Sequence, residues 1–190
     1  MKTLLLIPAI AIAFCLVSCE QNMTADNSAE SKEERNKEAA LAIMKAFEEN
    51  KPEALDTLIA EDAKEHTPDP SMGITSTGRQ MVKDVLASIK SGYPDYKNEV
   101  KHVAADGDMV MVYFTMKGTN SGPMGNMPAT NKTIEVDGVD IMKFNDKGMA
   151  TDHWGVYDNM KMMEQLGLMP PMGGGEHMAG SDTTQSEMNQ

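Results

Sequence analysis

The sequence predicts an α+β domain in which a curved antiparallel sheet wraps around helices. Apolar residues recur at helical spacing between residues 33 and 89, whereas from Tyr96 to Tyr157 they recur at every second position. Helices followed by a long antiparallel meander is the element order of an α+β fold. A sheet that curls over helices forms a cone with an internal pocket, and such pockets usually hold small ligands.

The first residues are typical of a bacterial export signal. Lys2 supplies a positive charge, residues 4–14 form an apolar run too short to span a bilayer, and Leu16-Val17-Ser18-Cys19 closes the run. This ending resembles a lipobox, in which the cysteine becomes the lipidated first residue of the mature protein. We therefore expect a signal peptide at 1–18, a membrane anchor on Cys19 and a location in the cell envelope, on the periplasmic side or at the outer membrane. An ordinary secretory signal cut nearby is the alternative.

Composition excludes several classes of partner. The formal net charge of −12 argues against binding to nucleic acid, which needs a basic face. The second cysteine, Cys15, lies within the signal, so the mature protein has no disulfide. The remaining length is enough for one domain and short for two.

The helices are predicted from apolar stripes and from the prolines that separate them. Residues 19–32 are polar and lack periodicity, which predicts a lipidated cysteine followed by a flexible tether. A helix is expected from near Glu33 to Glu49, then a shorter one that buries Leu55 and Leu58. The rigid loop 65–70 follows, because its prolines restrict the backbone. A third helix is expected from near Thr77 to Ile89.

The strands are predicted from the change of period. Candidate strands are Lys97 to Ala105, Met109 to Thr119, Lys132 to Phe144 and Met149 to Tyr157. Residues 120–129 form a longer loop that could cover a cavity mouth, and a last helix is expected over 159–166. The domain therefore covers 33–168, and residues 169–190 are predicted to be a disordered methionine-rich tail.

One predicted strand places a carboxylate in an apolar row. Ile134, Val136, Asp140, Met142 and Phe144 share one face. A carboxylate there is costly unless it is paired, protonated or lining a cavity. If Phe144 pairs with Met149 across the turn, Asp140 faces His153, a plausible acid–base pair. A bulge at Gly148 would instead shift Asp140 towards Trp154.

An ordered set of short motifs carries a family resemblance. The motifs are Phe47-Glu48-Glu49-Asn50, Glu65-His66-Thr67-Pro68, Gly92-Tyr93-Pro94-Asp95, Gly138-Val139-Asp140-Ile141 and Asp152-His153-Trp154-Gly155-Val156-Tyr157-Asp158. Together they resemble a SnoaL-like polyketide cyclase (ester cyclase) domain of the nuclear transport factor 2-like superfamily, with its cystatin-like cone. The resemblance implies removal of a proton next to a carbonyl, followed by an aldol ring closure. It also implies a possible homodimer through the open face of the sheet.

The site residues are predicted from the apolar row and the resemblance together. We expect catalytic roles for Asp140, His153 and His66. Each has a structural alternative: Asp140 could accept hydrogen bonds in a buried network, His153 could only satisfy Asp140, and His66 could be an exposed loop residue. Ligand contacts are predicted for Trp154, Tyr113, Tyr157 and Asp158, and Asp158 could also cap the last helix.

The predicted function is binding of a small apolar carbonyl compound, with enolisation, aldol or isomerase chemistry. The alternative is a ligand-binding or carrier module without chemistry, which export favours because polyketides are cyclised in the cytoplasm. No cofactor and no metal are predicted, since zinc-ligand spacing, phosphate-binding glycine loops and a serine nucleophile elbow are all lacking. Thioethers and His177 in the tail are a minor candidate for copper.

Overall fold

The computed structural model describes residues 20–170. The predicted signal peptide, Cys19 and nearly all of the methionine-rich tail lie outside the described residues. The helices are α1 (Glu20–Glu49), α2 (Leu55–Leu58), α3 (Gly78–Gly92) and α4 (Asn159–Gln165). The strands are β1 (Ile59–Glu65), β2 (Lys97–Asp106), β3 (Met109–Thr119), β4 (Thr133–Phe144) and β5 (Ala150–Tyr157). Within this part of the chain, no helix is both long and apolar enough to cross a membrane.

The strands form one five-stranded sheet with the order β1-β5-β4-β3-β2. The pairs from β2 to β5 are antiparallel, and β1 runs parallel to β5 at one edge. Helix α1 packs against β2 and β3, α3 packs against β1, and α4 packs against β4. The predicted α+β class, with a curved sheet wrapped around helices, is confirmed.

The main core lies between α1, α3 and the inner face of the sheet. Its largest fully buried apolar side chains are Phe114, Phe144, Leu55, Leu86, Val110 and Val112. They come from alternate positions of β3 and β4 and from one stripe on each helix, as the sequence periods predicted. Each such side chain contributes about 1.5–3 kcal/mol when it is removed from water. This burial fixes which face of β4 points inward, and therefore the direction of Asp140.

Two elements differ from the predictions. Helix α1 begins at Glu20, so the part of the predicted flexible tether from Glu20 onward is helical. This segment contains neither proline nor glycine, and it continues without a break into the part of α1 that is rich in alanine and glutamate. The residues of strand β1 were expected to form the end of the second helix and the start of a loop. Because four of its seven residues are charged, the segment lacks an apolar alternation, and its strand conformation depends on pairing with β5.

The register of β4 against β5 also differs from the prediction. Phe144 pairs with Ala150 and Lys143 with Asp152, so Thr151 is an extra residue on β5. Asp140 therefore pairs with Gly155, and the predicted pairing with His153 is wrong. The total shift is two positions, and a shift of two keeps a side chain on the same face. Asp140 and His153 consequently remain diagonal neighbours on the inner face of the sheet.

Asn120 anchors the long loop between β3 and β4. The side chain is fully buried, and its amide donates to the carbonyl of Gly122 at 3.0 Å. Its oxygen accepts hydrogen bonds from both the backbone N–H and the hydroxyl of Thr130, at 2.8 and 3.0 Å. The two ends of the loop are thereby held together beside the end of α3.

We expect Asn120→Ala to lower the free energy of unfolding by about 1–3 kcal/mol, because buried backbone groups lose their partners. Urea unfolding followed by circular dichroism measures this change. Asn126→Ala, at an exposed position of the same loop, is the matched control and should change stability by less than about 0.5 kcal/mol. Equal stability of the two variants would contradict the anchoring role.

Candidate functional site

An inner cavity lies between α1, α3 and the inner face of the sheet. Its volume is about 120 Å³, and most of its wall is apolar, from residues such as Ile43, Phe47, Val82 and Met142. Three carboxylates and one imidazole also line the cavity: Glu65, Asp140, Asp152 and His153. The cavity therefore combines an apolar environment with groups that can exchange protons.

The imidazole of His153 lies between two carboxylates. Its Nδ1 is 2.5 Å from Oε2 of Glu65, and its Nε2 is 3.2 Å from Oδ1 of Asp140. Since a carboxylate only accepts hydrogen bonds, both ring nitrogens act as donors and the ring carries a proton on each. Burial by itself lowers the pKa of His153, but the hydrogen bonds and charges of Asp140 and Glu65 outweigh it and raise the pKa to about 10. At neutral pH His153 is therefore a cation.

Glu65 is held on both of its oxygens. Oε2 accepts from His153, and Oε1 accepts from the backbone N–H and the hydroxyl of Thr67 at 2.8 and 2.9 Å. The same hydroxyl accepts from the backbone N–H of Gly155 at 2.7 Å. Burial raises the pKa of Glu65, but the hydrogen bond and charge of His153 and the bonds from Thr67 lower it further than burial raises it. Glu65 is therefore an ionised, fixed acceptor at the end of β1.

Tyr157 reaches Asp140 across two glycines. Its hydroxyl donates to Oδ1 of Asp140 at 2.7 Å. A Cβ on Gly155 would come within 2.6 Å of the Tyr157 hydroxyl, and a Cβ on Gly138 within 2.6 Å of the ring. The ring can therefore lie flat on the sheet only because neither residue has a side chain. Burial, together with the charge and hydrogen bond of Asp140, raises the pKa of Tyr157 well above its ordinary value, so the hydroxyl stays a donor.

Asp140 keeps one oxygen free for a bound molecule. Oδ1 accepts the hydrogen bond from Tyr157 and also makes the ion pair with His153. Among the described residues, none donates a hydrogen bond to Oδ2. The side chain is 14% exposed, and Asp140 lines the cavity. A carboxylate fixed by two donors on one oxygen can use the other to accept a proton from a ligand.

A second polar pair in the cavity wall was not predicted. The Tyr96 hydroxyl donates to Oδ1 of Asn98 at 2.7 Å, which fixes the orientation of the amide. The Nδ2 of Asn98 makes a long 3.4 Å contact with the carbonyl of Met44. Asn98 thus offers an N–H donor to a ligand oxygen. Tyr96 lies one residue before β2 and Asn98 lies within it, and no pattern in the sequence marked them as a pair.

Glu65 was also not among the site residues predicted from the sequence. In the structure, Ala63 and Glu65 are half-buried while Asp62, Lys64 and His66 are exposed, but the sequence shows no matching alternation of apolar and polar residues. The prolines that follow favoured a loop instead, and the partner strand β5 is 88 residues away from Glu65 at His153. Only the tertiary pairing brings this carboxylate to the imidazole.

His66 and Trp154 lie together, but outside the inner cavity. Their rings are stacked, with centroids 4.3 Å apart and planes at 7°. The Nε2 of His66 is 2.8 Å from Oδ1 of Asp152, and this hydrogen bond is the main cause of the lowered pKa of Asp152. Asp152 itself lines the cavity. His66 therefore reaches the cavity only through Asp152, and its predicted catalytic role would act through that carboxylate.

Two of the predicted ligand contacts lie elsewhere. Tyr113 is on the outer face of the sheet, where it stacks on His102 and its hydroxyl donates to Asp137 at 3.2 Å. The outer face is separated from the cavity by the sheet itself. Asp158 is the N-cap of α4, and its carboxylate accepts from the backbone N–H of Lys161 at 3.0 Å. Of the predicted contacts, only Tyr157 lines the cavity.

Solved structures with a similar fold include three proteins, two of which are described as candidate polyketide cyclases. IdmH from Streptomyces antibioticus, described as a candidate polyketide cyclase, is 26% identical, with a TM-score of 0.60 over 70% of this chain and 98% of its own. TsrD from Streptomyces laurentii is 22% identical, with a TM-score of 0.62 over 70% and 94%. A candidate polyketide cyclase from Bacillus cereus ATCC 10987 is 22% identical, with a TM-score of 0.60 over 71% and 82%.

No curated protein matches the sequence. The profile of the family described as SnoaL-like polyketide cyclase matches residues 37–166, which is most of the predicted domain and contains every group of the inner cavity. The match begins inside α1 and ends just after α4, so it coincides with the folded unit. The chain belongs to the SnoaL-like polyketide cyclase family.

Proposed function

We propose that this protein is an exported lipoprotein whose SnoaL-like domain binds a small carbonyl compound and enolises it. The observation that carries the proposal is Asp140, a half-buried carboxylate at a largely apolar cavity. Its Oδ1 contacts Tyr157 and His153, and its Oδ2 receives no hydrogen bond from the described residues. Enolisation needs a base beside the carbon that carries the proton and a donor beside the carbonyl oxygen. Asp140 supplies the first and Asn98 the second.

The proposed step moves one proton. Oδ2 of Asp140 takes a proton from the carbon next to the carbonyl, the C–H electron pair forms a C=C bond, and the carbonyl π electrons move to oxygen. The Asn98 amide N–H donates to this oxygen. The enolate then either regains the proton at another carbon, which is isomerisation, or attacks a second carbonyl, which is aldol addition.

His153 is a positioning residue in this scheme. Because its pKa is raised to about 10, it already holds both protons at neutral pH and does not accept another. Its role is to orient Asp140 from one side while Glu65 holds the imidazole from the other. The expectation of an acid–base pair left open which member is the base, and in this scheme the base is Asp140.

A carrier without chemistry is the second candidate. This candidate is favoured because the polar side chains already have partners within the protein. His153 contacts carboxylates through both ring nitrogens, and Glu65 accepts hydrogen bonds on both oxygens. A structural network of this kind would also orient a ligand without exchanging a proton with it. The two candidates differ in whether the α-carbon of a bound ketone exchanges its hydrogens.

The homodimer implied by the family resemblance is part of the proposal. On the outer face of the sheet, Val156 is 60% and Met111 45% exposed. Apolar side chains on an uncovered sheet face support association with a second copy. Light scattering of the purified domain measures the mass in solution.

We expect the protein to exchange α-hydrogens of small neutral ketones with D₂O, measured by NMR or mass spectrometry. Asp140→Asn should lower the rate about 10²–10⁴-fold, because an amide cannot accept the proton. Asp137→Asn is the matched control, since Asp137 lies on the same strand but on the outer face with Thr115. Ketone binding without exchange in the unmodified protein would favour the carrier instead.

A second prediction concerns stability against pH. A folded-state pKa raised above the unfolded value gives stability that is complete below about pH 6.5 and is lost as pH rises towards 10. We therefore expect the free energy of unfolding to fall between pH 6.5 and 10, and to fall less in His153→Gln. Urea titrations at several pH values measure both slopes, and identical slopes would contradict the raised pKa.

The membrane anchor is tested at Cys19. In a bacterial host, the unmodified chain should incorporate radiolabelled palmitate and sediment with membranes, whereas Cys19→Ser should do neither. Cys15→Ser is the control, because Cys15 lies within the predicted signal peptide. Labelling that persists in Cys19→Ser would show that the anchor is elsewhere.

A further inference from the structure

A second cavity with a volume of about 750 Å³ lies beside the inner cavity. We call it the methionine groove, because its wall contains Met72, Met116, Met124, Met127, Met162 and Met163. They come from β3, α4 and the two loops that follow β1 and β3. Methionine side chains are unbranched and polarisable, so surfaces rich in them adapt to apolar ligands of different shapes.

The groove adjoins the inner cavity. Four residues line both: Val85, Ile89, Tyr96 and Tyr157. Tyr157 is the residue whose hydroxyl bonds Asp140, so the groove begins next to the proposed base. One molecule can therefore place a small head at Asp140 and a longer body among the methionines.

The charges of the two walls disfavour an anionic ligand. No lysine or arginine lines the methionine groove, and Asp69 is its one carboxylate among the described residues. In the inner cavity, the carboxylates of Glu65, Asp140 and Asp152 outnumber the cations of His153 and Lys64. A carboxylate or phosphate on the ligand would lose its hydration and meet walls in which carboxylates outnumber cations.

The groove wall contains one buried donor without an acceptor. The Tyr93 hydroxyl has no hydrogen-bond partner, although the residue is only 3% exposed. Burial raises the pKa of Tyr93, so the hydroxyl keeps its proton. A buried donor left unpaired is costly, and such groups usually have a partner that is a water or a ligand. Because Tyr93 lines the groove, a ligand can supply the acceptor once neighbouring methionines move.

Building on the proposed function, we propose that the ligand is an elongated, neutral amphiphile. Its carbonyl head lies in the inner cavity at Asp140 and Asn98. Its apolar body, an unbranched chain with a second hydrogen-bond acceptor within reach of Tyr93, lies in the methionine groove. The groove is thus the part of the site that selects ligand length.

The effect of the ligand's alkyl chain length is tested with methyl ketones, from hexan-2-one to dodecan-2-one. Each ketone is titrated into the full-length protein by calorimetry. Each added methylene should tighten binding about two- to fourfold until the groove is filled. The n-alkanoic acid of equal length should bind at least about tenfold more weakly at pH 7.5. Affinity that is independent of chain length, or acids that bind as tightly as ketones, would overturn the proposal.

The groove is tested with two substitutions on α4. Met163→Glu places a charge in the groove wall and should remove most of the gain per methylene. Met160→Glu is the matched control, because Met160 is on the same helix, is 50% exposed and is not part of the groove. If the gain in affinity per methylene were lost in both variants, or in neither, the alkyl chain of the ligand would not lie in the groove.

Tyr93 is tested with alkanediones that differ in the position of the second carbonyl. At least one should bind the unmodified chain about two- to tenfold more tightly than Tyr93→Phe, because only the phenol donates a hydrogen bond. If no alkanedione shows this difference, the proposed second hydrogen-bond acceptor on the ligand is wrong. A gain with chain length but no α-hydrogen exchange would leave the groove standing and refute the enolisation, so the two proposals fail separately.

Discussion

The imidazolium of His153, held between Glu65 and Asp140, is the interaction on which the site depends. It joins three strands, because Glu65 ends β1, Asp140 is in β4 and His153 is in β5. Two carboxylates facing one cavity would repel each other, and the cation between them removes most of that cost. The interaction also requires β1 to pair in parallel with β5, so the edge of the sheet and the site are formed together.

The remaining geometry follows from the absence of side chains at two positions. Gly138 and Gly155 let the ring of Tyr157 lie across the sheet, with its edge towards Phe114 at a centroid distance of 6.2 Å. Tyr157 therefore belongs both to the core and to the site. The same ring lies where the inner cavity and the methionine groove meet, since it lines both. A packing interaction in the core thus sets the border between the reactive end of the site and its apolar extension.

The sequence was most informative where one strand carries its own pattern. The apolar row of β4 identified the inward direction of Asp140 without any knowledge of its neighbours. The pairing with His153 was wrong in register, yet the two side chains meet, because the shift of two positions preserved the face. Glu65 and Asn98 could not be placed in this way. Their roles depend on which strands are adjacent, and the charged strand β1 has no apolar alternation that would have revealed it.

The charge balance of the site explains why an apolar cavity suits the proposed step. Before transfer, Glu65 and Asp140 are anionic and His153 is cationic, so the three side chains carry one net negative charge. After transfer, Asp140 is neutral and the enolate carries the charge, so the total is unchanged. The reaction therefore moves a charge over a short distance and creates none, which a medium of low polarity penalises little. What the protein must add is a donor at the new position of the charge, and the Asn98 amide, fixed by Tyr96, lies in the wall where the ligand oxygen would be.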